Sequence, residues 1–192
     1  MASGRARPEE LLVRELGYLG AFPKIGLDLD VRVFHERFDG FLRQKNNTRP
    51  ADYVNGENLG IQGLEYQVKW RPWQGGQLIF NQAFTAISMT DESAVFAAPK
   101  RASSLTFFQK FPGGLDLSLM HQTTSEFKPH AGGIDAIRPI DRTDLRLGLP
   151  LRFGANRGEL ALVVQNLGSP YTDYRKTFFF ERRAFVTLTL EN

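Results

Sequence analysis

Hydrophobic and polar residues alternate with a period of two along most of the chain, the spacing of strands whose two faces meet different environments. In Leu27-Asp-Leu-Asp-Val-Arg-Val33, the positions Leu27, Leu29, Val31 and Val33 share one face, and Asp28, Asp30 and Arg32 share the other. Leu64, Tyr66, Val68 and Trp70 stand in the same way against Gly63, Glu65, Gln67 and Lys69. Between Arg142 and Phe153, the residues Leu145, Leu147, Leu149, Leu151 and Phe153 oppose Asp144, Arg146, Gly148, Pro150 and Arg152. The final stretch sets Ala184, Val186, Leu188 and Leu190 against Arg183, Phe185, Thr187 and Thr189. Two segments fit less well: in 103–111 the adjacent Phe107 and Phe108 blur the two faces, and 159–167 is apolar on both parities until Gln165; their length and β-propensity make them strands all the same.

Turn residues divide this pattern into about nine strands, over 13–21, 27–40, 58–70, 77–89, 101–111, 115–126, 140–153, 159–167 and 177–190. The connections alternate in length. Those around Pro23–Gly26, Arg71–Gly76, Pro112–Gly114 and Gly154–Gly158 are tight and carry Gly or Pro, whereas 41–57, 90–100, 127–139 and 168–176 are long. Long loops gathered at one end are the plan of an outer-membrane barrel, with short periplasmic turns and long extracellular loops. The pattern therefore predicts an all-β fold: an antiparallel, up-and-down transmembrane β-barrel segment over 13–192, open because nine strands form only part of a wall. Residues 1–12 are expected to be an N-terminal extension or a truncated upstream strand. On this reading Leu27, Leu29, Val31, Val33, Leu64, Tyr66, Val68, Leu145, Leu147, Leu149, Val186, Leu188 and Leu190 face lipid. Aromatic belts are expected at the two interfaces, from Trp70, Trp73 and Phe153 near the short turns and Tyr171, Tyr174 and Phe178 near the long loops.

Composition narrows the alternatives. Among 192 residues, 42% are hydrophobic and 12% aromatic, which removes a disordered tail from consideration. The excess of 24 Lys and Arg over 21 Asp and Glu, a net +3, is too small to argue for a nucleic-acid partner. With no cysteine there is no disulfide, thiolate metal site or thiol nucleophile. The charged start Met1–Glu10 is not a secretory leader, and the apolar run Leu160–Val164 is far short of the ~20 residues of a membrane helix. That excludes spanning helices and leaves a barrel untouched.

Candidate chemistry is sparse. His35, His121 and His130 are scattered, without metal-ligand spacing. The carboxylates Asp28, Asp30, Asp141 and Asp144 lie in alternating strands beside Arg32, Arg142 and Arg146, as a hydrated wall of mixed charge requires. Ser118 and His121 fall on opposite parities, which argues against a nucleophile–base pair. No catalytic site, metal or cofactor is expected. The long loop 41–53 carries Arg43, Lys45, Arg49 and Tyr53, basic groups interleaved with an aromatic, which would suit an anionic ligand; a solvated loop or contact with anionic lipopolysaccharide explains them equally well.

Several segments, taken in order, resemble the C-terminal part of the barrel of TonB-dependent outer-membrane receptors. They are Leu29–Phe34 after a short turn, Asn58–Glu65 with Val68–Pro72, Asp141–Arg146, Val164–Leu167 with Tyr171 and Tyr174 downstream, and the closing Phe180–Leu190. The resemblance implies a share of a barrel of about 22 strands, plugged by an N-terminal domain. It also implies uptake of a scarce ligand, such as a ferric siderophore, powered through TonB, in the outer membrane of a Gram-negative bacterium. Lipid, lipopolysaccharide, the TonB complex and the ferric ligand are the partners so implied. The plug, the TonB-contacting segment and a leader are not among these residues, so a fragment or a broken reading frame is expected. Such chains usually end on an aromatic; here the row Val186, Leu188, Leu190 leads to Asn192. The competing expectation is a soluble antiparallel barrel or sandwich that binds an apolar ligand, with the same aliphatic rows turned inward as a core.

Overall fold

Thirteen strands form in the computed structural model, which describes residues 6–44, 52–89, 95–128, 136–154, 156–172 and 177–191. They are β1 (Glu10–Phe22), β2 (Leu27–Asp39), β3 (Leu42–Gln44), β4 (Tyr53–Asn55), β5 (Leu59–Trp70), β6 (Gly76–Ser88), β7 (Arg101–Lys110), β8 (Asp116–Thr124), β9 (Ile140–Phe153), β10 (Asn156–Gln165), β11 (Tyr171–Thr172), β12 (Phe179–Phe180) and β13 (Arg183–Glu191). Nine of them make one sheet in the order β1-β2-β5-β6-β7-β8-β9-β10-β13, every neighbouring pair antiparallel. The other four form two small hairpins, β3–β4 and β11–β12, inside long connections. β1 and β13 end the sheet and do not pair with each other, so the wall is open.

The register turns the sequence alternation into two surfaces. Across the sheet Leu27 is opposite Trp70, Trp70 opposite Leu78, Leu78 opposite Phe107, Phe107 opposite Leu119 and Leu119 opposite Leu145. On the far side Leu147 meets Leu162, and Leu162 meets Val186. Every residue expected to face lipid lies on this one surface. A row drawn at right angles to the strands does not stay apolar, however: from Val31 it passes Tyr66, Gln82, Ser103 and Thr123 to reach Asp141. The apolar band is thus oblique to the hydrogen-bonding direction, the geometry of strands tilted and staggered in a barrel wall.

Among the described residues no layer covers that surface. Among the described residues only Phe34, Leu59, Ile137 and Ala161 are buried hydrophobics, while Leu16 is 76% exposed and Leu188 is 59% exposed. The alternative of a soluble barrel or sandwich required the aliphatic rows to turn inward as a core, and among the described residues they meet only their neighbours within the sheet. The strand limits are close to those expected, with two shifts. β1 begins at Glu10, within the stretch expected to be an extension, and the segment 177–182 is drawn off the last strand, so that β13 starts at Arg183.

Two glycines show why the wall fits so closely. Gly26 closes the first short turn at φ 67°, with its N–H donated to the Pro23 carbonyl at 3.2 Å, and a Cβ there would run into the Arg71 carbonyl oxygen. Gly63 lies opposite Phe34 in register, and the Phe34 ring covers it; an added Cβ would sit 2.5 Å from Phe34 Cζ and 2.5 Å from the Phe84 carbonyl oxygen. An aromatic laid over a strand glycine restores the packing the glycine lacks. Gly63→Ala is therefore expected to destabilise the protein by about 1–3 kcal/mol through overpacking, measured as a fall in Tm; an unchanged Tm would contradict the close approach.

Candidate functional site

The second surface of the sheet carries most of the charge and is cross-linked, although Leu11, Val13 and Leu19 at the β1 edge and Phe185 on β13 also stand exposed on it. Arg32 reaches Glu15 on one neighbour and Glu65 on the other, at 3.2 and 3.3 Å, tying β1, β2 and β5 together. Gln67 donates to Asn81 at 2.7 Å, and Asn81 donates to Ser104 at 3.0 Å, carrying the chain of contacts over β5, β6 and β7. Arg146 bridges Asp116, at 2.6 Å, and Glu159, joining β8, β9 and β10. At the first turn, Arg71 holds Asp28 at 2.6 Å. Opposite charges at facing positions stabilise such pairs, and most of these remain partly solvated. Broad hollows of about 700 and 830 Å³ open on this face, the first beside Arg32, Glu65 and Gln67, the second beside Lys110, Arg152 and Arg157.

At the long-loop end, β9 and β10 gather a more buried cluster. Arg142 binds Asp144 through two bonds, 2.8 and 2.6 Å, with the two side chains only 16% and 17% exposed. Asn166, just beyond β10, is wholly buried at φ 54°, a left-handed conformation that asparagine tolerates better than most residues. Its N–H donates to Asp144 at 2.9 Å, and its side-chain amide donates to the carbonyls of Ser169 and Phe180, each at 3.1 Å. Arg182 donates back to the carbonyls of Leu167 and Asn166, at 2.5 and 3.4 Å. Above this knot the β11–β12 hairpin stacks Tyr171 on Phe180, ring centres 5.4 Å apart, and the Arg142 and Arg183 guanidinium groups lie 4.5 and 4.6 Å from the Phe180 ring. The last long connection is in this way sewn to the rim of the wall.

The expected site residues fall as follows. Arg43 lies on β3 and Tyr53 on β4, where Arg43 faces Val54 and Gln44 faces Tyr53, so the two side chains leave opposite faces of the hairpin. Lys45, Arg49, His130, Tyr174 and Asn192 lie outside the described residues. Trp70, Trp73 and Phe153 are exposed at the short-turn end, and Phe178 is exposed at the other. Tyr171, expected in an outward aromatic belt, instead lies against the polar-face cluster, accepting a hydrogen bond from Arg142 at 3.3 Å. Asp141 and Asp144 leave opposite faces: Asp144 pairs with Arg142, while Asp141 stands 3.7 Å from His121 on the apolar side. Ser118 and His121 also leave opposite faces, opposite Arg146 and Thr143 respectively. Sequence reading missed Asn166 and Arg182; the available signal was an asparagine closing an apolar run.

No protein-family model matches the sequence, and no curated protein matches it. Solved structures do. The FrpB iron transporter of Neisseria meningitidis aligns with a TM-score of 0.74 at 13% identity, over 98% of this chain and 32% of its own. The ferric-catecholate import receptor Fiu of E. coli K12 aligns with a TM-score of 0.72 at 16% identity, over 96% of this chain and 28% of its own. The ferric preacinetobactin receptor BauA of Acinetobacter baumannii gives 0.72 at 14%, over 98% and 31%. The chain therefore spans about a third or less of the length of these proteins. At such identities the likeness is one of fold, and it takes in nearly the whole of the nine-stranded sheet.

Proposed function

We propose that these residues form part of the barrel of a TonB-dependent receptor in the outer membrane of a Gram-negative bacterium. Its role is the uptake of a ferric siderophore or a similar iron chelate. The observation that carries this reading is the two-sided wall: a continuous, uncovered, oblique apolar band on one surface and a charge-laced surface on the other. Hydrocarbon accommodates the first, and a hydrated passage accommodates the second. The similar structures are an iron transporter, a ferric-catecholate import receptor and a ferric preacinetobactin receptor, which supports iron as the cargo. In this scheme Leu29, Val68, Leu147 and their row face lipid, Trp70, Trp73, Phe153 and Phe178 settle at headgroup depth, and Arg43, Lys45, Arg49 and Tyr53 offer contacts to an anionic chelate from an extracellular loop. The wall residues do no bond chemistry. They keep water and charge inside, exclude lipid, and hold the loops in place while energy from TonB moves the cargo.

The test is uptake of radioactive iron as a siderophore complex by cells expressing the full-length protein, with and without TonB. Iron accumulation that depends on both the protein and TonB is expected. A full-length protein recovered from the aqueous fraction without detergent, or uptake indifferent to its deletion under iron starvation, would contradict the proposal.

A further inference from the structure

We infer that the polar face carries an anion-binding site at its short-turn end, where Lys110, Arg152 and Arg157 receive a bulky, negatively charged metal chelate as it leaves the passage. The inference rests on the iron-chelate reading given above and adds a contact at the end of the wall opposite the long loops. Elsewhere on this face Arg32, Arg71 and Arg142 each hold a carboxylate. At the short-turn end one arginine, Arg146, holds both Asp116 and Glu159. Lys110, Arg152 and Arg157 line the same hollow as those two carboxylates and have no ion pair among the described residues. Arg152 and Arg157 stand directly opposite each other across β9 and β10, and β8 reaches no further than Gly148, so Arg157 is the one strand neighbour of Arg152. Lys110 faces Asp116 and Arg157 faces Glu191 in register, which leaves Arg152 the least compensated of the three. β7, β8, β9 and β10 all have both neighbours in the sheet, so none of these charges is bare for want of an outer strand.

Like charges set face to face in a sheet are destabilising, and a pair kept at the mouth of a wet passage supplies a field that concentrates anions there. The shape of the hollow selects the class of anion. It measures about 830 Å³, and Phe108 and Pro150 add apolar wall beside the cations. Phe108 belongs to this surface because it faces Ser118, which in turn faces Arg146. An inorganic phosphate would fill little of the space and make no use of the ring. A complex with an organic shell and several negative charges uses both the cations and the apolar wall. The hollow of about 700 Å³ further along the same face is the contrast, since there Arg32 lies with Asp30 and Glu65 and acid is in excess.

The trisoxalatochromate(III) ion is the probe: a paramagnetic trianion in which a trivalent metal is wrapped by chelating oxygens. These 192 residues contain no cysteine, so a nitroxide can be placed singly in the full-length protein, any cysteine outside them being replaced by serine. A label on Thr189→Cys reports from the short-turn hollow, and one on Ala83→Cys reports from the other. Relaxation by the chromium complex, taken relative to a neutral nickel chelate, should be about threefold or more higher at 189 than at 83 in low salt. It should fall to the value at 83 in the double variant Arg152→Gln, Arg157→Gln, and part of the way in Lys110→Gln. Equal ratios at the two labels, as carboxylates from the rest of the protein answering the arginines would give, overturn the inference. So does a ratio at 189 that survives the double substitution, or displacement of the chromium complex by an equal concentration of inorganic phosphate. TonB-dependent iron uptake with equal ratios would remove this site and leave the transport reading. The expected ratios in a protein that takes up no iron would support the anion site and remove the transport reading.

Discussion

Leu29→Arg, Leu147→Arg and Leu188→Arg are each expected to lower the unfolding free energy of the membrane-inserted protein by about 2–4 kcal/mol, the cost of a guanidinium near the bilayer midplane. The three positions sit on β2, β9 and β13, far apart in the sheet but on one surface, with Leu29 opposite Val68, Leu147 opposite Leu162 and Leu188 opposite Leu160. Neighbours of opposite parity provide the contrast. Asp30→Arg and Ala83→Arg place the same side chain on the polar face, beside the hollow lined by Arg32 and Glu65, and are expected to stay within about 0.5 kcal/mol. Chemical unfolding from lipid vesicles measures all five. The result to look for is a penalty that follows parity rather than exposure, because Leu188 and Ala83 both have room for a larger side chain.

The second large effect belongs to the rim. Asp144→Ala should cost about 3–5 kcal/mol, since it leaves the Arg142 guanidinium largely buried without its carboxylate and deprives the Asn166 N–H of its acceptor. Hydrogen exchange localises the damage: the amides of Asn166 and Leu167, the second bonded to the Thr143 carbonyl at 2.8 Å, should lose protection while the central strands keep theirs. Combining Asp144→Ala with Asn166→Ala should be markedly less than additive, because both changes break one network. Additive losses would mean that the two residues hold the rim separately. Replacing the pair together, as Arg142→Met with Asp144→Leu, should recover part of the loss, as buried ion pairs often permit.

The wall was legible in the sequence and the rim was not, for a physical reason. A strand between lipid and water repeats its demand every second residue, so Leu145, Leu147 and Leu149 announce their surface locally, and β9 begins and ends at the residues the pattern indicates, 140 and 153. The alternation of short and long connections likewise reports a barrel with two unlike ends. The rim is built instead from residues far apart in the chain: Arg142 and Asp144, Asn166 and Leu167, Tyr171, and Phe180 to Arg183. No period links them. The pattern puts Phe179 and Phe180 at the start of the final strand, and tertiary pairing with Thr172 and Tyr171 takes them away. The hairpin β3–β4 escaped notice because three-residue strands are too short to show a period. Tyr171 fits an interfacial belt by composition; its contacts with Arg142 and Phe180 tie it to the rim cluster as well.

Spin labels placed singly along β2 and β9 of the full-length protein in lipid vesicles put the question directly, because dissolved oxygen concentrates in hydrocarbon and a water-soluble nickel chelate does not. At positions 29, 31, 145 and 147 relaxation by oxygen should dominate. At 28, 30, 146 and 152 the nickel chelate should dominate, so that the signal follows parity along each strand. Labels at both sets of positions responding to the nickel chelate alike would mean that the aliphatic rows meet water, and that no bilayer lies against this wall.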